Sequence, residues 1–192
     1  MATTPARSSP RREAILGELV DLFCAHGFAQ VGINDLASIL RCSKSTLYDV
    51  APSKEQLITA AVREFFRRAT ERIEAALVRE ADPAAAVGTY LTAISVELAT
   101  GSPQFFVDLD RFPPAREIYT RNTRVAARRV RDLVGEGSAG RPGVDARFLG
   151  VVAGQVMESI NSGRASAETG LDHAASYRAL ADLITAGARV ES

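Results

Sequence analysis

Residues 43–57 read SKSTLYDVAPSKEQL, and no other stretch constrains the fold as tightly. Pro52 clashes inside a helix, so a helix entering near Ser43 must end before it. Ser53 then starts another. Its spacing to Gln56 fits a capping box, in which the serine oxygen takes a free helix N–H and the glutamine reaches back to the cap. The segment before the proline carries Ser43, Lys44, Ser45, Thr46 and Tyr48. A small polar helix ahead of a sharp turn suits a recognition helix in a DNA major groove, where hydroxyls, lysine and tyrosine meet base edges and phosphates. An ordinary loop–helix junction has similar local chemistry, so the upstream residues decide.

From Pro10 to His26 the apolar positions Ala14, Ile15, Leu19, Leu22, Phe23 and Ala25 follow the i, i+3, i+4, i+7 spacing of an amphipathic helix. Ser9 before Pro10 predicts a cap followed by proline in the first turn. Gly27 predicts a left-handed close. A second helix, Ile33 to Leu40, carries Ile33, Leu36, Ala37 and Leu40 on one side. Arg41-Cys42 then turn the chain into the helix from Ser43. Three helices with a tight turn between the last two form a helix-turn-helix.

At these residues the chain resembles the tetracycline-repressor (TetR-like) family of bacterial transcription regulators. The resemblance rests on Ile15, Leu22, Phe23, His26-Gly27-Phe28, Asp35-Leu36-Ala37, Ser43-Lys44, Thr46-Leu47-Tyr48, Ser53-Lys54-Glu55 and Leu57. It covers residues 11–70 in detail; beyond them it extends only to length and helical pattern. There are departures. The family usually has glycine where this chain has Arg41 and Ser45, an aromatic where it has Ala51, and hydroxyl residues where it has Val31 and Gly32.

The chain has 192 residues, 46% of them hydrophobic, enough for a buried core. It shows no apolar run long enough to span a membrane and no apolar signal region, so a cytoplasmic protein with no membrane partner is expected. Residues 1–9 read as a flexible arm. Its Arg7, with Arg11 and Arg12, can reach a phosphate or a minor groove; a solvated tail is the other reading. Cys24 and Cys42 lack metal or C-x-x-C spacing, so packing is expected and no metal, with a thiol sensor left open. The net charge is +0. DNA binding would then depend on a local patch of Arg11, Arg12, Arg41, Lys44 and Lys54.

Downstream, proline and glycine punctuate further helices. One runs from Lys54 to Arg79, another from Asp82-Pro83 to Leu98, a short one from Pro103 to Phe112, and a long one from Pro113-Pro114 to Val134. Gly135–Gly143 reads as an exposed loop. Helices over Val144–Asn161 and Leu171–Ala188 follow. No strand-like alternation occurs. The expected architecture is all-α with about nine helices. Its units are an arm (1–9), a helix-turn-helix domain (10–53) and a helical ligand-binding and dimerisation domain (54–192).

The resemblance implies a homodimer that binds a DNA operator and responds to a small-molecule effector. Its DNA-facing candidates are Arg11, Arg12, Arg41, Ser43, Lys44, Ser45, Thr46, Tyr48 and Lys54. In this family the last two helices build a four-helix dimer interface. The small residues Gly150, Ala153 and Gly154, with Met157, Leu180, Leu183 and Ile184, are the candidates here; a core helix packed closely within one subunit is the other reading. The effector would lie among Tyr90, Ile94, Glu97, Phe105, Phe106, Asp108, Leu109, Phe112, Tyr119, Asn122, Thr123, Met157 and Asn161, an apolar set with a few polar groups. Asp108 and Asp110 would either favour a cation or face solvent. No phosphate-cradling loop, nucleophile elbow or paired-histidine metal motif occurs, so no catalytic residue and no cofactor is expected. The alternative is a helical effector-binding or interaction protein whose DNA-reading surface has degenerated. The effector, the operator, the regulated genes and the sign of regulation are not legible in the sequence.

Overall fold

The computed structural model describes residues 10–137 and 145–189. The expected arm, the cap at Ser9, most of the Gly135–Gly143 loop and the helix start at Val144 lie outside them. The described residues form ten α-helices and no strand: α1 Pro10–His26, α2 Ile33–Ile39, α3 Lys44–Val50, α4 Lys54–Val78, α5 Ala86–Leu98, α6 Pro103–Arg111, α7 Pro113–Gly137, α8 Ala146–Asn161, α9 Arg164–Thr169 and α10 His173–Arg189.

Most boundaries follow local chemistry. Ser43, Ser53 and Ser102 each accept the backbone N–H three residues on and so start α3, α4 and α6. Gly27 closes α1 at φ 76°. Some expectations fail. The α5 helix starts at Ala86, because residues 83–85 form a turn that Asp82 caps through the Ala84 N–H at 2.9 Å. The α7 helix runs through Gly135 to Gly137, so the loop begins later than the glycines suggest. Residues 164–169 form a short helix, α9, bracketed by left-handed Gly163 and Gly170, and α10 starts at His173 rather than Leu171. On α1, Ala14 and Ala25 are exposed, while Val20 and Cys24 take places in the core.

One buried cluster runs from Ile15 on α1 to Ile184 on α10. The α4 helix packs on α1, α5 and α7; α7 packs on α8, and α5 on α10. The α6 helix touches both α7 and α1. Its Phe105 meets Phe28 and Phe65 edge-on at 6.2 and 5.2 Å, and Phe112 just beyond it meets Phe28 at 6.1 Å. Short α6 therefore ties the first three helices to the rest of the chain. Among the described residues, no helix is long and apolar enough to cross a membrane.

Candidate nucleic-acid interface and ligand cavities

The α3 helix is held from below by Leu47 and Val50, which are buried, and offers Lys44, Ser45 and Tyr48 to solvent. At its start the Ser43 hydroxyl accepts from the Thr46 N–H at 3.1 Å and contacts the Ser45 and Thr46 hydroxyls at 2.7 and 2.8 Å. These hydroxyls are pre-arranged on one end of an outward-facing helix. At its other end the Arg12 guanidinium donates to the Val50 carbonyl at 3.2 Å. Arg12 was expected to face DNA; here it satisfies a carbonyl that the helix end leaves open. The Lys54 ammonium donates to the Ala29 carbonyl at 3.2 Å, so it too braces the domain. Arg11 stays exposed on the first turn of α1.

The α2–α3 turn is a Schellman close. The Cys42 N–H donates to the Ala37 carbonyl and the Arg41 N–H to the Ser38 carbonyl, at 3.0 and 3.2 Å. Arg41 stands where such a turn favours glycine, at φ 48°, the one positive-φ non-glycine among the described residues. Its side chain is exposed beside α3.

Two of the cavities among the remaining helices hold most of the expected effector residues. An outer cleft of about 620 Å³ opens between α6, α7, α9 and the start of α10; Phe106, Leu109, Tyr119 and Asn161 line it. An inner cavity of about 150 Å³ lies among α4, α5, α7 and α10; Tyr90, Ile94, Glu97, Tyr119, Asn122 and Thr123 line it. Tyr119 lines both. Its hydroxyl meets His173 Nδ1 at 2.7 Å, and Phe106 stacks on the His173 ring at 4.5 Å. Burial pushes the Tyr119 phenol well above its ordinary range and lowers the His173 imidazole. The neutral forms of both are thereby favoured. Asn161 bridges α8 to α7, donating to Thr123 Oγ1 at 3.0 Å and accepting from Thr120 at 3.3 Å.

Four expected cavity residues line neither space. Phe105 and Phe112 pack on Phe28, and Met157 is wholly buried in the core. Asp108, 2% exposed, accepts the Phe28 and Ala29 N–H groups at 2.6 and 2.8 Å and the Gln104 amide at 2.7 Å. Its charge is spent on the α1–α2 corner and not on a ligand. Asp110 remains exposed, 4.0 Å from Arg116.

The residues expected at a dimer seam fall in two places. Gly150, Ala153, Gly154, Met157, Leu180 and Ile184 are buried within the single chain. A Cβ on Gly150 would stand 2.8 Å from Arg131 Cγ and 3.4 Å from its Cα, so the small residues of α8 admit α7. Leu183 alone of the seven is exposed, as Phe148 and Val151 on α8 also are. The pattern of small residues signalled close approach correctly, but it cannot say to which helix. Phe66, Glu74, His173 and Tyr177, which also line the cavities, were missed. His173 and Tyr177 lie four apart on α10, a shared face that could have marked them.

Residues 15–61 match the family model for bacterial regulatory proteins of the tetR family. Over 66 residues the chain is 35% identical to an HTH-type transcriptional regulator of Mycobacterium tuberculosis. That match spans about a third of each chain, 34% of this one and 33% of the relative. Two similar solved structures cover nearly the whole length. A transcriptional regulator from Saccharomonospora viridis in complex with choline has a TM-score of 0.68 at 20% identity, over 92% of this chain and 96% of its own. The TetR-family regulator PfmR from Thermus thermophilus has a TM-score of 0.56 at 22% identity, over 90% and 97%.

Proposed function

We propose that this chain, whose residues 15–61 match the tetR-family model, acts as a homodimeric repressor that binds a palindromic DNA operator and is released by a small-molecule effector. The carrying observation is α3, a short helix anchored by Leu47 and Val50 with Lys44, Ser45 and Tyr48 turned outward. Residues 10–53 serve as the DNA-reading unit and 54–192 as the effector and dimerisation unit. The dimer forms on the outer face of α8 and α10. Phe148, Val151 and Leu183 are 69%, 51% and 67% exposed there, an apolar face that a two-fold axis can bury against its own copy.

Effector and DNA communicate through α6. This helix lines the outer cleft with Phe106 and Leu109, and grips the α1–α2 corner with Asp108. The Ser102 N–H, just ahead of α6, also donates to the Cys24 carbonyl at 2.7 Å. An effector that shifts α6 changes the separation of the two recognition helices. The coupling is reciprocal, so operator DNA weakens effector binding by the same factor. The choline carried by the similar fold supports the ligand-binding half of this reading.

Fluorescence anisotropy with the protein's own promoter region tests it. Tyr48→Phe should cost about 1–3 kcal/mol and relax sequence preference if the hydroxyl reads a base. Lys44→Ala should weaken all sequences alike and flatten the salt dependence. Wild-type affinity and salt slope in both variants would reject α3 as the reading helix and leave a helical effector-binding protein.

A further inference from the structure

Four aromatic rings wall the inner cavity: Phe66 from α4, Tyr90 from α5, Tyr119 from α7 and Tyr177 from α10. Phe66 and Tyr119 stack on each other at 5.3 Å with 20° between their planes, so each leaves its opposite face free for a guest. Burial pushes the Tyr90 phenol up to about 12 and raises Tyr119 and Tyr177 as well, which keeps all three rings neutral. A neutral aromatic ring offers an electron-rich face.

Two carboxylates complete the lining, Glu74 from α4 and Glu97 from α5. Glu97 is 8% exposed. Arg72 holds it with contacts of 2.6 to 2.8 Å, yet is itself 54% exposed and is not part of the lining. Among the described residues, Arg129 is the only cation of the lining; it is partly exposed and stands 3.6 Å from Glu74. Both carboxylates are paired, Glu97 with Arg72 and Glu74 with Arg129, yet Arg72 lies outside the lining, so two carboxylates and one guanidinium leave the lining with an excess of one negative charge. The volume of about 150 Å³ equals that of about five waters at ~30 Å³ each. It falls below the ~300–1,000 Å³ of drug-sized sites, so the guest is a head group of a few heavy atoms.

We propose that this cavity takes a small organic cation, an alkylated ammonium group held by Phe66, Tyr90, Tyr119 and Tyr177 and opposed in charge by Glu74 and Glu97. The assignment names the effector class and rests on the regulator reading above; the inner cavity reaches α6 through Tyr119, which lines both spaces and meets Phe106 at 6.3 Å. Ring faces attract a quaternary ammonium by cation–π interaction, while its methyl groups bury apolar area. A neutral guest of the same shape gains only the second effect.

Calorimetric titration of the full-length protein with choline, with tetramethylammonium and with the neutral alcohol in which carbon replaces choline's nitrogen tests the class. Both cations should bind, and the neutral isostere at least about tenfold more weakly. Tyr90→Leu should weaken choline about tenfold and Tyr90→Phe should restore it. The wild-type comparison needs no variant to fold. An isostere that binds as tightly as choline, or cations that do not bind, would overturn the proposal. Promoter binding measured on the same samples separates the two readings. DNA binding without cation binding rejects the cationic guest alone; cation binding without DNA binding rejects the regulator and leaves the cavity's chemistry standing.

Discussion

Gly27, between α1 and α2, and Arg41, between α2 and α3, both close a helix in the left-handed region, at φ 76° and 48°. Their surroundings differ. A Cβ on Gly27 would lie 2.5 Å from Asp108 Oδ2 and 2.7 Å from Gln104 Cγ, because α6 presses on that corner. The second corner is open, and the Arg41 side chain extends into solvent. Left-handed geometry alone costs a non-glycine residue about 1–2 kcal/mol, which a fold can absorb. Close approach of a neighbour turns that preference into a requirement. The difference teaches that a glycine in a turn is enforced by what packs on it, more than by the turn itself.

The sharpest way to break this comparison is Gly27→Ala. It should cost about 3 kcal/mol, combining left-handed strain with displacement of the Asp108 carboxylate from its two amides. In urea unfolding, a loss no larger than about 1 kcal/mol would mean that the corner is governed by φ alone. Next in size is Gly150→Leu, which carries the same question to α8. Overpacking against Arg131 should cost about 2 kcal/mol at every protein concentration, with the sedimentation behaviour of the assembly unchanged. A folded monomer would instead place Gly150 at a subunit seam.

Asp108→Asn should cost about 1–2 kcal/mol, since one amide oxygen replaces a carboxylate serving Phe28, Ala29 and Gln104. A double-mutant cycle sharpens the point: Gly27→Ala should be less costly in an Asp108→Ala background than alone. Additive losses would show that the two residues are uncoupled. The smallest effect belongs to Arg41→Gly. Relief of about 1 kcal/mol of strain is offset by about 0.4–1 kcal/mol of added freedom in the unfolded chain, so stability should hardly move. Operator affinity should still fall if the guanidinium reaches DNA; unchanged affinity would mark Arg41 as a tolerated substitution.

The first three helices were legible to within a residue, since Gly27, Ser43, Pro52 and Ser53 are local signals satisfied by local hydrogen bonds. The start of α5 and the short α9 were not. There a turn and two left-handed glycines set the boundaries without any strong apolar period. Among the candidate DNA-facing residues, the outward placement of Lys44, Ser45 and Tyr48 was readable from a short polar helix with two buried anchors. Arg12 and Lys54 were not, because their partners, the Val50 and Ala29 carbonyls, lie 38 and 25 residues away.

By itself, then, the sequence determined that the chain is all-helical, where most helices begin, and that a helix-turn-helix opens it. Caps, proline breaks and apolar periods act within a few residues, so they are written in order along the chain. Only the tertiary structure decided which face meets which. It turned the small residues of α8 toward α7, left Phe148 and Leu183 bare, gathered three tyrosines around one cavity, and set Asp108 on the N–H of Phe28 across 80 residues of chain. Packing and buried hydrogen bonds act at a few ångströms in space, where separation along the sequence carries no information.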